Sequence, residues 1–303
     1  MAHSRTARRW ILAGLILFEA VVLAAIAIAA SSAWLGGIVW RTGWWSTGPV
    51  TRTFSEQVLL GDERARVRAV NALGRLEVTG SPDARSIEVR AAVRWLGWLP
   101  PWTDDPMDLT DIDVRKEGGT VTVTAAQPGD GWPLAGLLGH ASVDLALTVP
   151  AESDLDLNAQ LGTVTVRGVT GELRLHANMG EVRASDVGGD LTIRANMGDI
   201  VVRDAVLSDR MSVRADMGSI DFTGRPARDA EVISHMGSIR LALPPGQSYR
   251  LDARASMGSI DIGLPFDGSR EGDSVRGTIG HGPPAGSIKI ESDMGSIDIE
   301  EAS

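Results

Sequence analysis

Asp216-Met217-Gly218-Ser219-Ile220-Asp221 is the stretch that decides the fold, because its Met-Gly pair occurs six times in the second half of the chain. The six copies are Met179-Gly180, Met197-Gly198, Met217-Gly218, Met236-Gly237, Met257-Gly258 and Met294-Gly295. Leu161-Gly162 is a degenerate first copy, and from there the glycines advance by 18, 18, 20, 19, 21 and 37 residues. A period near 20 residues is typical of a solenoid, in which each repeat stacks on its neighbours. We therefore predict an all-β, β-helix-like solenoid with rungs of about 18–21 residues.

The glycine of each copy is predicted to form a corner that needs positive φ or a close approach of two backbones. These structural turn residues are Gly162, Gly180, Gly198, Gly218, Gly237, Gly258 and Gly295. The methionine beside each glycine is interpreted as a flexible apolar side chain that fills the corner. The alternative, a methionine-lined metal site, needs soft ligands that converge, whereas stacked corners string the sulfurs along a column. We therefore predict no metal site.

Short segments that alternate apolar and polar residues lie on both sides of each corner. Val164 and Val166 alternate with polar neighbours, as do Ile200 and Val202. Such alternation buries one face of a strand. It predicts regular solenoid repeats over residues 151–303. In this prediction the chain ends on an exposed rung, where the terminal acids discourage end-to-end pairing with another stack.

A less regular N-terminal β region is predicted over residues 56–150, where alternating strands are interrupted twice. The interruptions, residues 95–102 and 132–138, are rich in tryptophan and leucine. Two interpretations stay open for them: a lid over the open end of the solenoid, or loops that reach the membrane or a partner.

An apolar run before the repeats predicts a single membrane anchor. Residues 11–30 are apolar except for Glu19, and this length matches the roughly 20 residues that cross a bilayer. Arg5, Arg8 and Arg9 precede the run, so positive-inside bias predicts a cytoplasmic tail over residues 1–9 and a transmembrane helix over residues 10–30. A juxtamembrane linker over residues 31–55 and an extracytoplasmic C-terminal domain follow. The alternative is a cleaved signal peptide, which also exports the domain.

Glu19 is an ionisable residue within hydrocarbon, which is costly unless it is paired or protonated. One hypothesis is a membrane-protein partner whose helix donates a hydrogen bond to Glu19. The other is a protonated Glu19 near the end of a tilted helix. The sequence leaves both open.

Composition excludes one class of partner and offers no catalytic site. The net charge of −10 argues against a nucleic-acid partner, because phosphate binding needs a basic face. The chain has no cysteine. Its histidines are scattered without metalloprotease spacing, and no nucleophile elbow is present. We therefore predict neither a catalytic site nor a cofactor.

Stacking turns positions of the repeat into columns on the surface. Four residues before the corner glycines lie His176, Arg194, Arg214, Ile233 and Arg254. The basic members, His176, Arg194, Arg214 and Arg254, form a candidate strip for an anionic cell-envelope polymer. The alternative is a solvated face on which nearby acids balance the arginines. The residues just before the methionines, such as Asn178 and Asp216, are predicted to cap turns by bonding nearby backbone.

The order of several phrases along the chain resembles a known bacterial family, the "putative adhesin" or toast-rack domain. The phrases are Leu147-Thr148-Val149-Pro150, then Leu243-Pro244-Pro245-Gly246, and finally Gly286-Ser287-Ile288-Lys289-Ile290 with the last Met-Gly copy. The resemblance covers about residues 66–303 and implies a β-solenoid of the cell envelope, often of unknown function. In some members it implies a link to envelope-stress signalling. The family brings no catalytic residues, and the tryptophan-rich insertions depart from its pattern.

Two functions are consistent with these observations. The first is a membrane-anchored extracytoplasmic β-solenoid that acts as a non-catalytic envelope scaffold, adhesin-like or sensing envelope stress. The alternative is a carbohydrate-active β-helix enzyme acting on cell-surface polysaccharide, which needs clustered acids with raised pKa in a groove. The even polar columns favour the scaffold.

Overall fold

The computed structural model describes residues 50–59, 64–97, 110–126 and 139–302. Several predicted features therefore lie outside the described residues: the transmembrane helix with Glu19, the linker up to residue 49, and residues 98–102 and 132–138 of the two insertions. Among the described residues, no helix is long and apolar enough to cross a membrane. Val50 already belongs to a strand, so residues 50–55 are not the linker that the sequence predicts.

The described residues are built from short strands that reverse direction at turns. In chain order these are β1 (Val50–Leu59), β2 (Ala65–Leu73), β3 (Leu76–Ser81), β4 (Ser86–Gly97), β5 (Asp111–Glu117), β6 (Thr120–Ala126), β7 (Gly139–Pro150), β8 (Ser153–Leu161), β9 (Val164–Arg167), β10 (Thr170–Met179), β11 (Val182–Ser185), β12 (Gly188–Met197), β13 (Ile200–Met217), β14 (Ile220–Arg225), β15 (Asp229–Met236), β16 (Ile239–Leu243), β17 (Ser248–Met257), β18 (Ile260–Ile262), β19 (Phe266–Glu271), β20 (Ser274–Gly280), β21 (Ser287–Met294) and β22 (Ile297–Glu301). The all-β prediction is confirmed for this part of the chain.

Each rung adds one strand to each of two walls, except that β13 is a single strand that runs through the second wall and then the first. The first wall holds the strands that lead into the glycine corners, with the antiparallel hairpins β5–β6 and β20–β19 at its two ends. Its order is β5-β6-β2-β8-β10-β12-β13-β15-β21-β17-β20-β19. The second wall holds the strands that leave the corners, with the antiparallel strands β1, β4 and β7 at one end. Its order is β1-β4-β7-β3-β9-β11-β13-β14-β16-β22-β18. Pairing between successive rungs is parallel, so equivalent residues stack in register and form columns. The predicted solenoid-like stack is confirmed.

The last rung lies inside the stack and not at its end. In the first wall β21 pairs with β15 on one side and with β17 on the other. In the second wall β22 lies between β16 and β18 in the same way. The prediction that the C-terminal acids protect an exposed edge is therefore wrong. Glu300 instead forms an ion pair with Arg240 of the neighbouring rung, at 3.2 Å between Nε and Oε1.

The gap that the last rung fills is left open by the preceding part of the chain. After β18, strands β19 and β20 form an antiparallel hairpin, and β20 pairs with the outer edge of β17. This hairpin covers one end of the first wall and leaves the inner edge of β17 free for β21. The 37-residue interval between Gly258 and Gly295 in the sequence is this excursion.

One apolar core lies between the walls. Every second residue of a strand points inward, as Leu173, Leu175 and Ala177 of β10 do, and all three are buried. The largest side chains of the core are Phe222 and Tyr249. The Tyr249 hydroxyl donates to Oε1 of Gln247 at 2.8 Å, and burial raises the pKa of this phenol.

The corners require glycine chiefly because neighbouring backbones touch there. At Gly218, where φ is 142°, an added Cβ would lie 2.2 Å from the carbonyl oxygen of Gly198. Seven corner glycines were predicted, and φ lies between 140° and 151° at six of them: Gly162, Gly180, Gly198, Gly218, Gly237 and Gly295. The seventh, Gly258, has no such φ, but its Cβ would still lie 2.1 Å from the Gly295 carbonyl oxygen. A side chain at these positions would force the rungs apart.

Candidate functional site

The outer face of the first wall carries the basic strip that the sequence predicts, His176, Arg194, Arg214 and Arg254. Inward and outward positions alternate along each strand, so each rung presents outward residues eight, six and four positions before its corner glycine. Because rungs stack in register, each of these positions forms a column across the wall. The face is therefore a lattice of side chains about 4.8 Å apart along each column.

The column four residues before the glycines contains the predicted basic strip. From β2 to β17 it reads Val70, Asn158, His176, Arg194, Arg214, Ile233, Glu291 and Arg254. His176, Arg194 and Arg214 are thus adjacent. Ile233 and Glu291 separate Arg214 from Arg254, so the structure brings together only part of the predicted strip.

Glu291 was missed by the sequence analysis, although the same count of four residues back from Gly295 finds it. When the repeats are stacked in their order along the chain, Arg254 comes next after Ile233. In the folded chain, β21 lies between their two strands and brings Glu291 into the column. An acid therefore stands within the predicted basic strip.

Arg214 is further neutralised by the column beside it. Its Nη2 lies 2.6 Å from Oε2 of Glu231, and Nζ of Lys289 lies 3.2 Å from the other carboxylate oxygen of Glu231. The Arg214 hydrogen bond, followed by that of Lys289, lowers the pKa of Glu231, although partial burial opposes the shift. Glu231 is held ionised between two cations, so it is a poor candidate for a proton donor.

A shallow depression of about 450 Å³ lies on the first wall, across strands β6, β2, β8 and β10. Its charged lining residues are Arg66, Arg68, Asp154, Asp156, Glu172 and Arg174. These groups pair with one another: Arg68 reaches Asp156 at 2.9 Å, and Arg174 pairs with Glu172. The sequence alone does not reveal this depression, because its lining comes from strands that are far apart along the chain.

Side chains just before the methionines bond to each other across rungs. Nδ2 of Asn196 donates to Oδ1 of Asn178 at 2.7 Å. Nδ1 of His235 lies 2.7 Å from Oδ2 of Asp293, and its Nε2 lies 4.0 Å from Oδ1 of Asp216. The predicted backbone capping is wrong for these pairs, because equivalent side chains in register are closer to each other.

The methionines of the repeat form a column of their own at the corner, which we call the methionine edge. In stacking order it consists of Met179, Met197, Met217, Met236, Met294 and Met257. The first five are 39–43% exposed and Met257 is 64% exposed, whereas Met211 inside the core is 1% exposed. Filling the corner, the role predicted from sequence, therefore does not describe these side chains.

A family model described as Toastrack DUF4097 matches residues 101–300. The chain belongs to this family. The resemblance found in the sequence phrases is thereby confirmed. Among curated proteins, none matches this Toastrack chain.

Solved structures similar to the Toastrack chain include a "putative adhesin" from Bacteroides fragilis, with 14% identity and a TM-score of 0.43. That alignment covers 85% of this chain and 98% of the other. A "putative cell adhesion protein" from Clostridium sporogenes is similar with 12% identity and a TM-score of 0.40, over 84% of this chain and all of the other.

Proposed function

We propose that the protein is a non-catalytic scaffold of the cell envelope. In this proposal residues 10–30 anchor it in the cell membrane, residues 1–9 stay in the cytoplasm, and the Toastrack stack lies outside. The arginines before residue 11 and the apolar run support this topology. The scaffold holds a partner at the membrane surface, a role that serves adhesion or the sensing of envelope stress.

The observation that carries the proposal is the pairing of charges over the outer faces of both walls. Arg214 pairs with Glu231 across rungs of the first wall, and Arg203 pairs with Asp221 across rungs of the second. Charges that neutralise each other across a broad, regular face do not converge on a reacting group. Extended faces of stacked repeats are surfaces on which other macromolecules dock.

The partner that suits these faces is a protein of the envelope. Glu231 beside the predicted basic strip and Glu291 within it, together with the net charge of −10, oppose an anionic polymer. A protein with its own mixed charges can pair with the lattice rung by rung. A second contact, between Glu19 and a helix of a membrane protein, would fix the partner at the anchor.

The carbohydrate-active enzyme is not proposed, because it needs a carboxyl group with raised pKa beside a second acid. The pKa of Glu231 is shifted downward, first by its hydrogen bond with Arg214 and then by Lys289. The acids of the depression near Arg66 are paired with arginines. No described feature specifically favours glycoside hydrolysis.

Topology is tested with reporters fused after Ser303 of the full chain. A reporter active only outside the cell membrane is expected to be active, and a cytoplasmic reporter is expected to be inactive. The mass of the mature protein distinguishes an anchor from a cleaved signal peptide. A C-terminus in the cytoplasm would contradict the proposal.

Partner binding is tested in intact cells with a photo-crosslinking residue at Thr192, an outward position of β12 in the centre of the first wall. The same residue at inward-facing Ile193 serves as the control, because this position is buried. Mass spectrometry is expected to identify one envelope protein with the Thr192 variant alone. Equal products from both positions, or none from Thr192, would contradict docking on this wall.

A further inference from the structure

The methionine edge is far more exposed than the methionine of the core, and Leu161 in the same column is exposed to the same degree. Met211 shows how this chain buries a methionine, with 1% of the residue accessible. The six methionines of the edge remain 39–64% exposed at equivalent positions of successive rungs. Their thioether groups therefore stand in a row at the surface.

The spacing of the row suits an ion shared between neighbouring rungs. Met179 pairs in register with Met197, Met217 with Met236, and Met294 with Met257. Neighbouring strands lie about 4.8 Å apart. A bond between a first-row metal and sulfur is about 2.3 Å long, as for zinc and thiolate, so two sulfurs about 4.6 Å apart can hold one ion between them. The column of sulfurs does not bring four ligands together at one point, but each pair of neighbouring sulfurs can hold one ion.

The charges beside the row favour a cation. The residues directly before the methionines and directly after the glycines form two flanking columns. Their acids are Asp216 and Asp293 on one side, and Glu181 and Asp199 on the other. Neither column contains lysine or arginine at any of the six methionine rungs.

We propose that the methionine edge binds soft monovalent metal ions of the copper(I) class, each held between the thioethers of two neighbouring rungs. Thioethers are soft, uncharged ligands that select copper(I) over hard cations such as magnesium or calcium. Of the nearby carboxylates, Glu181 pairs with Arg183 and Asp293 with His235, so Asp199 and Asp216 are the ones that supply the negative charge that thioethers lack. Six thioethers used two at a time accommodate three ions along the edge. This site is independent of the proposed scaffold function and of the location of the domain.

The test titrates the full chain in detergent with silver(I), an air-stable probe of the same class, and with copper(I) under reducing conditions. Native mass spectrometry counts the bound ions. About three ions are expected for the wild type and none for a variant with leucine at all six edge positions. Leucine is a matched replacement because Leu161 and Leu73 already occupy this column at two other rungs. Met211→Leu is the control and is expected to bind as the wild type does.

A second measurement on wild-type protein needs no variant. Hydrogen peroxide transfers one oxygen to a thioether and leaves sulfoxide and water, and exposure governs the rate. Silver(I) is expected to slow oxidation of the six edge methionines about tenfold or more, because the bound ion occupies one of the two sulfur lone pairs and makes the sulfur a weaker nucleophile. Buried Met211 reports any unfolding caused by the metal. Equal ion uptake by the leucine variant, or oxidation of the edge that silver leaves unchanged, would overturn the proposal.

Discussion

Gly218→Ala tests the reason for the corner glycines. An added Cβ would lie 2.2 Å from the carbonyl oxygen of Gly198 and 2.6 Å from its carbonyl carbon. Both are backbone atoms of the next rung, so no flexible side chain can move aside. The φ of 142° adds backbone strain of about 1–3 kcal/mol, and overpacking adds about 1–3 kcal/mol more. The free energy of unfolding should therefore fall by about 4 kcal/mol, the middle of the combined range.

Gly246→Ala separates the two causes, because Gly246 has φ of 75° but nothing within 4 Å of an added Cβ. It should lose only the left-handed strain, about 1–2 kcal/mol. Ser219→Ala, beside the corner, should change stability by less than about 0.5 kcal/mol.

Circular dichroism during heating of the full chain in detergent measures the three variants. Each kcal/mol should lower Tm by about 2–4 °C in a domain of this size, so Gly218→Ala should lower Tm by on the order of 12 °C and Gly246→Ala by about 5 °C. Equal losses for the two glycine variants would refute close approach between rungs as the reason for glycine at the corner.

Glu231→Gln should destabilise the domain by less than about 1 kcal/mol at pH 7, because the ion pairs are partly exposed. The pKa of Glu231 is lower in the folded protein than in the unfolded chain. The ionised carboxylate therefore stabilises the fold at pH values above the unfolded pKa, and this stabilisation is lost as pH falls through the folded pKa. The difference in Tm between Glu231→Gln and wild type should accordingly vanish in acid and persist at neutral pH. A serine variant of Arg194, Arg214 and Arg254 should keep its Tm within about 2 °C, because exposed charges contribute little. Its retention on an anionic cell-wall polymer should equal that of wild type, because Glu291 interrupts the strip; a loss of retention at low salt would instead establish polymer binding.

The period of the Met-Gly pairs was sufficient to predict the rungs, since a glycine is required wherever two rung backbones touch, as at Gly198 and Gly218. Inward positions such as Leu173 and Leu175 followed from alternation, because each strand has one buried face. These features are local to a rung, and they repeat. For that reason they could be predicted from a single sequence.

The neighbours of each rung could not be predicted in the same way. The motif around Met294 is the same as that around Met257, so nothing local distinguishes a rung at the end of the stack from one inserted within it. The insertion depends on the hairpin β19–β20, which covers one edge of β17 and leaves the other for β21. Columns that involve Arg254 and Glu291 were therefore assembled in chain order, which is not their order in space.

The exposure of the methionine edge could not be predicted from the sequence either. Apolar residues at a corner are usually interpreted as packing, and Met211 in β13 follows that expectation. Met217, at the end of the same strand, lies at the corner and remains 42% exposed. Its exposure depends on where the strand ends relative to the second wall, which residue type does not reveal.

Engineered disulfides test the order of the rungs most directly, because the chain has no cysteine of its own. Oγ of Ser238 lies 3.3 Å from Oγ of Ser296, and Ser259 lies on the other side of the Ser296 rung. A disulfide needs Cα atoms within about 7 Å, whereas two rungs span about 9.6 Å. Ser238→Cys with Ser296→Cys, and Ser259→Cys with Ser296→Cys, should each oxidise fully in the folded protein. Ser238→Cys with Ser259→Cys should keep two free thiols; a disulfide in this last variant, and none in the first two, would contradict the inserted C-terminal rung.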